Sequence, residues 1–405
     1  MRGRTSVALV AIAVLTVACV PPTQTPSAPT ASTTTARDTG PTVVTPLLAN
    51  VIAAPIPVPA TDGNTHLAYE LQLTNVLNQE LTLTSVDVRT ADRSLVTLAG
   101  DRLTYWMRVL GNPKPTTKLG PAQSAVVWLD VVLDAGATVP AELVHAVGVS
   151  LEQPQPPLFP DTMTETVAPV TVETRKPANI APPLVGPNWV DANGCCGMTP
   201  HRMAMNPLNG QLWAAERFAI DYVQLLPDGR LFNGDKTKPD SYPGFGADIH
   251  AVADGHVVAV VDGLPDQVPG KNPTGLPLDQ YAGNHIVQDL GDGNYALYAH
   301  LKTGSIKVNV GDRLSSGQVI ALLGNSGNSD GPHLHFHVMS TPDPLRSNGL
   351  PFVLSSFRLD ARIASMDAEG AMEAGQPAPM QPGFAPRDES DVGPLVLDVM
   401  SYAGH

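Results

Sequence analysis

Apolar residues alternate with polar ones at a period of two along much of this chain, and that is the period of a β-strand. Leu67, Tyr69, Leu71 and Leu73 share one face of one run, and Val127, Leu129, Val131 and Leu133 share one face of another. Turn residues such as Asp62-Gly63-Asn64 separate the runs. A chain built this way buries its apolar faces by packing sheet on sheet. Composition agrees, because 40 prolines, about twice usual usage, and only 15% charged residues favour strands, turns and extended linkers over long helices. We therefore expect a mainly β protein, and 405 residues suffice for two ordinary cores plus tails. The balance of 38 acidic to 24 basic residues gives a net charge of −14, which repels phosphate backbones, so no nucleic-acid partner is expected.

One strand-like segment carries chemistry. Gly331-Pro332-His333-Leu334-His335-Phe336-His337 sets histidines two residues apart, so His333 and His335 face the same way, roughly 7 Å apart at their backbones. That spacing suits a metal site or acid/base work, and it also suits a polar strand face that merely carries imidazoles. Three further motifs accompany it: Phe218-Ala219-Ile220-Asp221-Tyr222, Tyr298-Ala299-His300-Leu301 and Gly324-Asn325-Ser326-Gly327-Asn328-Ser329.

Motifs in this order resemble the lysostaphin-type (LytM-like) zinc peptidases, which cut peptide cross-bridges or stems in bacterial peptidoglycan. The resemblance covers roughly residues 200 to 355. It implies an antiparallel sheet folded into a groove, with one Zn2+ per chain on its floor. In that family the ligands are a histidine, an aspartate four residues later, and the second histidine of the H-x-H pair. Asp221 and His335 fall on the last two positions. His333 and His300 fall on the family's two other site histidines, which implies that His333 polarises or deprotonates the attacking water and His300 donates to the oxyanion.

The first ligand position departs from the pattern, because Arg217 stands four residues before Asp221 and a guanidinium has no lone pair for a metal. Even spacing would aim it at the metal side. Either the site is dead or another histidine serves, and His201 in Pro200-His201-Arg202 is the candidate, with Arg217 turned aside to a carboxylate such as Asp248. His337 stands where the family more often carries glutamate and is expected to hold a ligand's orientation or to pack. His66, His145, His250 and His256 are expected to be structural or surface residues, and His285 either structural or in the groove. The glycines Gly311, Gly317, Gly324 and Gly327 are expected to serve turns.

Organisation follows from composition. Residues 1–19 carry Arg2 and Arg4, an apolar run from Val7 to Leu15, and small residues ending at Cys19, as in a secretory signal too short to span a membrane. Ala18-Cys19 resembles a bacterial lipobox, whose cysteine is lipidated, although Thr16 stands where that motif has leucine. The chain is thus expected at the cell envelope, held to the outer face of the cytoplasmic membrane by lipid on Cys19, with plain secretion as the alternative. Residues 20–45, rich in Pro, Thr and Ser, read as a disordered tether reaching roughly 70 to 80 Å. Residues 46–175 read as an immunoglobulin-like β-sandwich, 176–200 as a Pro-rich linker, 201–360 as the lysostaphin-type peptidase domain and 361–405 as a poorly ordered tail. In an exported chain the adjacent Cys195-Cys196 is expected as a vicinal disulfide, the alternative being two zinc thiolates. The expected activity is zinc-dependent hydrolysis of peptidoglycan peptides. The alternatives are a degenerate domain that binds wall or regulates another hydrolase, and an adhesive lipoprotein whose activity lies in the sandwich.

Overall fold

Strands dominate the computed structural model, which describes residues 42–112 and 114–404. The expected signal over 1–19, with Cys19, and the tether up to residue 41 lie outside the described residues. From Thr45 onward the chain is one unit. Among the described residues no helix is long and apolar enough to cross a membrane.

The first part contributes β1 (Leu47–Val51), β2 (Thr65–Asn75), β3 (Leu81–Arg89), β4 (Ser94–Ala99), β5 (Met107–Val109), β6 (Ser124–Leu133), β7 (Glu142–Leu151) and β8 (Thr162–Thr171). They form two antiparallel sheets, ordered β1–β2–β6–β5 and β8–β7–β3–β4. The two alternating runs read from the sequence are β2 and β6, paired with Tyr69 opposite Leu129 and Leu71 opposite Val127. Their apolar faces meet Leu81, Val86, Leu143 and Val147 of the other sheet in one core. His66 and His145 are both buried structural residues: His66 lies between Asp62 and Asp130, and His145 bonds Tyr69 and the Ala168 carbonyl.

Alternation sends Ala68 and Glu70 to the outer face of β2, where a solvated carboxylate would be expected. Glu70 is instead 0% exposed, because the second part of the chain packs there. Val58 and Ala68 join Cys196, Phe218 and Val353 in a small apolar cluster across that junction.

The second part is one extended antiparallel sheet. Its main strands are β9 (Gly186–Ala192), β10 (Ile220–Gln224), β11 (Gly255–Val261), β12 (Asn284–Gly291), β13 (Asn294–Leu301), β14 (Leu334–Met339), β15 (Phe357–Arg362) and β16 (Asp398–Tyr402). They are ordered β11–β12–β13–β14–β10–β9–β16–β15.

Two expectations are corrected here. Residues 176–200 are not a linker, since they supply β9, which pairs with β10 and β16, and the turn that holds the Cys195–Cys196 disulfide. Residues 361–405 are not a poorly ordered tail, since β16 bridges β9 and β15 with Val399, Met400 and Tyr402 buried. Both segments escaped notice because their strands run only five to seven residues between proline and glycine turns, too short to show a sustained period. Gly311, Gly317 and Gly327 take positive φ as turn residues, but Gly324 does not. A Cβ there would clash with the backbone nitrogen of Lys302, so this glycine serves a close approach of two backbone segments.

Candidate metal centre

The centre lies where β10, β14 and β13 run side by side. Asp221 of β10 is paired directly opposite His335 of β14, and His335 is paired in turn with Ala299 of β13. Along β14 the period of two divides the labour. Leu334, Phe336 and Val338 enter the core, whereas His335 and His337, with His333 just before the strand, face a cavity of about 260 Å³. His300 reaches the same cavity through a left-handed backbone, φ 60°, with its N–H bonded to the Ala282 carbonyl. For a non-glycine residue that conformation costs roughly 1–2 kcal/mol, so surrounding contacts must hold it.

His201 arrives from a different direction, on α1 (Pro200–Met203), a single turn capped by the Thr199 side chain. Its Nε2 stands 3.1 Å from Asp221 Oδ2, and its ring centroid lies 4.7 Å from that of His335. Arg217, at the position where a ligand was expected, is not in the centre. Phe218 takes φ 67°, which breaks the period of two before β10 begins, so Arg217 points away from Asp221. It is 2% exposed and pairs at 3.1 Å with Glu70 of the sandwich, not with Asp248, which faces Lys307.

Hydrogen bonds to backbone fix the ring tautomers. His201, His300 and His333 each give an Nδ1 proton to a carbonyl, of Ala219 at 3.0 Å, Ser326 at 2.7 Å and Gly331 at 2.7 Å. Each neutral ring therefore turns an Nε2 lone pair toward the cavity. Asp221 gathers two of these rings and that of His335: His201 Nε2 and His333 Nε2 at 3.1 and 3.2 Å, and His335 Nδ1 at 2.9 Å. Asn193 adds an N–H bond to Asp221 Oδ2 at 2.8 Å. The far nitrogen of His335 lies 3.0 Å from His337 Nδ1, and His337 Nε2 is buried with no hydrogen-bond partner among the described residues.

The electrostatics follow from this crowding. Burial pushes the Asp221 carboxyl up, but His201 and His333 outweigh it and hold the group well below the usual carboxylate range. Burial pushes His201 down, yet the Asp221 carboxylate prevails and holds it up to about 9. His300 goes the other way, well below the usual histidine value, through burial and the neighbouring His333 and His335. Lone pairs facing a carboxylate at about 3 Å repel unless a proton or a cation lies among them. One carboxylate oxygen and two imidazole nitrogens, all within 4.8 Å of one another in His201, Asp221 and His335, form a donor set of the kind zinc takes in hydrolytic sites, so the residues fit that ion.

The expected residues His201, Asp221, His300, His333 and His335 are thus brought together. His285 is buried against the Gly283 carbonyl and is not among the residues lining the cavity. Sequence reading missed Asn193, which carries no motif, and a wider cleft of about 460 Å³ that continues from Asp221 and His333 toward Ile363, Met366 and Met372. That wall belongs to the segment expected to be a tail.

Residues 241–347 match the model of Peptidase family M23, a span that holds His300, His333 and His335 but begins after His201 and Asp221. The peptidoglycan DD-endopeptidase ShyA of Vibrio cholerae is 39% identical over 67 residues, 16% of this chain and 15% of that protein. Endolysin 2638A of Staphylococcus phage 2638A is 30% identical over 81 residues, 20% of this chain and 16% of that protein. The chain spans less than a fifth of the length of the curated relatives it matches. Among solved structures, the catalytic domain of lysostaphin from Staphylococcus simulans aligns at 20% identity, covering 40% of this chain and 85% of that one, with a TM-score of 0.22. The family is zinc-dependent. Residues 241–347 of this chain are therefore similar to peptidase family M23.

Proposed function

We propose that this chain is a zinc endopeptidase of the bacterial cell envelope that hydrolyses peptide bonds in peptidoglycan, with His201, Asp221 and His335 as metal ligands. The observation that carries the reading is the convergence of those three donors beside two further imidazoles that also turn Nε2 inward. When bound, the ion supplies Lewis-acid polarisation of water and of the scissile carbonyl. The chain's own groups do the rest. His333 accepts the water proton at Nε2, since its Nδ1 proton is given to the Gly331 carbonyl. His300 has the same tautomer, so it reaches the oxyanion-donor role only after Nε2 has taken a proton. Asn193 holds the outer oxygen of Asp221, and Ala219 holds His201.

Export and a lipid on Cys19 complete the proposal, placing the peptidase on the outer face of the cytoplasmic membrane, with secretion as the alternative. A degenerate, wall-binding domain was favoured by Arg217, and His201 within reach of Asp221 removes the main reason for that preference. Metal content and peptidoglycan hydrolysis test the reading together. His201→Ala, Asp221→Ala and His335→Ala are each expected to lose zinc and activity. His300→Ala and His333→Ala are expected to keep zinc and lose about 10²–10⁴-fold in turnover. Stoichiometric zinc retained in His335→Ala or His201→Ala would refute the ligand assignment.

A further inference from the structure

The exchange of a ligand from the Arg217 position to His201 has a single carboxylate behind it. Glu70, on the outer face of β2 in the sandwich, has one oxygen 3.3 Å from Arg202 Nε and the other 3.1 Å from Arg217 Nη1. Arg202 is the residue next to His201 on α1, and Arg217 stands where a ligand was expected. We propose that Glu70 is a positioning residue for the metal centre, through which the sandwich holds His201 in place and keeps Arg217 out. This rests on the reading of His201 as a ligand.

Local structure alone does not fix His201. One helical turn is too short to define its own orientation, so α1 takes its placement from the bonds its side chains make. Arg202 makes most of them: beyond Glu70, its Nη2 donates to the Tyr69 carbonyl at 3.3 Å and to that of Leu129 at 2.8 Å, and its Nη1 donates to that of Cys196 at 3.1 Å. Two of those carbonyls belong to the sandwich strands β2 and β6. A planar guanidinium held at four points is a rigid bracket, and its backbone neighbour inherits that rigidity. Arg217 is held likewise, to Glu70, to the Ala68 carbonyl and to the Gly349 carbonyl.

Stability does not explain the triad. Replacing buried ion pairs by apolar residues is often neutral or stabilising, whereas removing one partner leaves charge uncompensated. Two guanidiniums around one carboxylate that is 0% exposed are better accounted for as a device that sets register between two parts. With Glu70 gone, Arg217 loses the carboxylate it is paired with at 3.1 Å and is no longer held away from the centre.

The test uses the full chain with zinc affinity measured by competition against a chromophoric chelator, and cobalt(II) absorption as a report on coordination. Glu70→Gln and Arg202→Lys are each expected to weaken zinc about ten- to a hundredfold and to alter the cobalt spectrum, while near-ultraviolet circular dichroism stays native. Glu70→Asp, which keeps the charge on a shorter arm, is expected to fall between Glu70→Gln and the parent. A purely packing role predicts a lower melting temperature with parent zinc affinity and parent cobalt spectrum in the folded protein, and that result would overturn the proposal. Should Glu70→Gln not fold, Arg202→Lys decides alone, since it keeps the positive charge and removes the bracket. A parent without zinc, or full affinity in His201→Ala, would instead overturn the ligand reading and this inference with it.

Discussion

How firmly His335 would bind a metal, as proposed, depends on what its other nitrogen touches. That nitrogen lies 3.0 Å from His337 Nδ1, so a neutral imidazole stands where the resembled family more often has glutamate. His335 Nδ1 donates to Asp221 at 2.9 Å; were a metal to take Nδ1 instead, Nε2 would carry the proton and donate to His337, which would fix the ring for coordination. His337→Leu removes that acceptor at similar bulk, and we expect zinc affinity to fall about 10- to 100-fold, read by chelator competition. Unchanged affinity would show that His337 only packs. At this scale much of the site was legible. Asp221, His300, His333 and His335 sit in short motifs whose spacing the strand geometry respects. Glu70 and Asn193 were not legible, because each acts through a partner more than 25 positions away, at His201's neighbour Arg202 and at Asp221 respectively.

Elements were readable in proportion to their length. β2 and β6, of eleven and ten residues, declared themselves by alternation, whereas β9 and β16, of seven and five, did not. Yet β16 is flanked on both sides in the sheet, between β9 and β15, and its Met400 is fully buried in the main core. Truncating a buried methionine to alanine costs about 2–5 kcal/mol. We therefore expect Met400→Ala to destabilise the protein by that amount in a denaturant titration, where a disordered tail would give no change. The same segment walls the cleft beside Asp221 and His333, so a chain shortened before residue 361 would lose part of the groove as well as a strand.

For the molecule from Thr45 onward, the sandwich and the second sheet are tied by the Val58, Ala68, Cys196, Phe218 and Val353 cluster and by the Glu70 triad. Such a junction should make the two parts unfold together. Calorimetry is expected to show one transition, moved up as a whole by zinc, by about 2.7 kcal/mol at a free concentration 100 times Kd. Two transitions, with zinc moving only one, would show independent parts. The sequence by itself determined the mainly β character and the histidine faces of β14, because a period of two and short-range spacing are properties of the local backbone. Only the tertiary structure decided that His201 joins Asp221, that Arg217 leaves, and that Glu70 of the sandwich pairs with both Arg202 and Arg217. Those outcomes depend on which buried charges find partners when distant segments pack, and no local pattern along the chain records that.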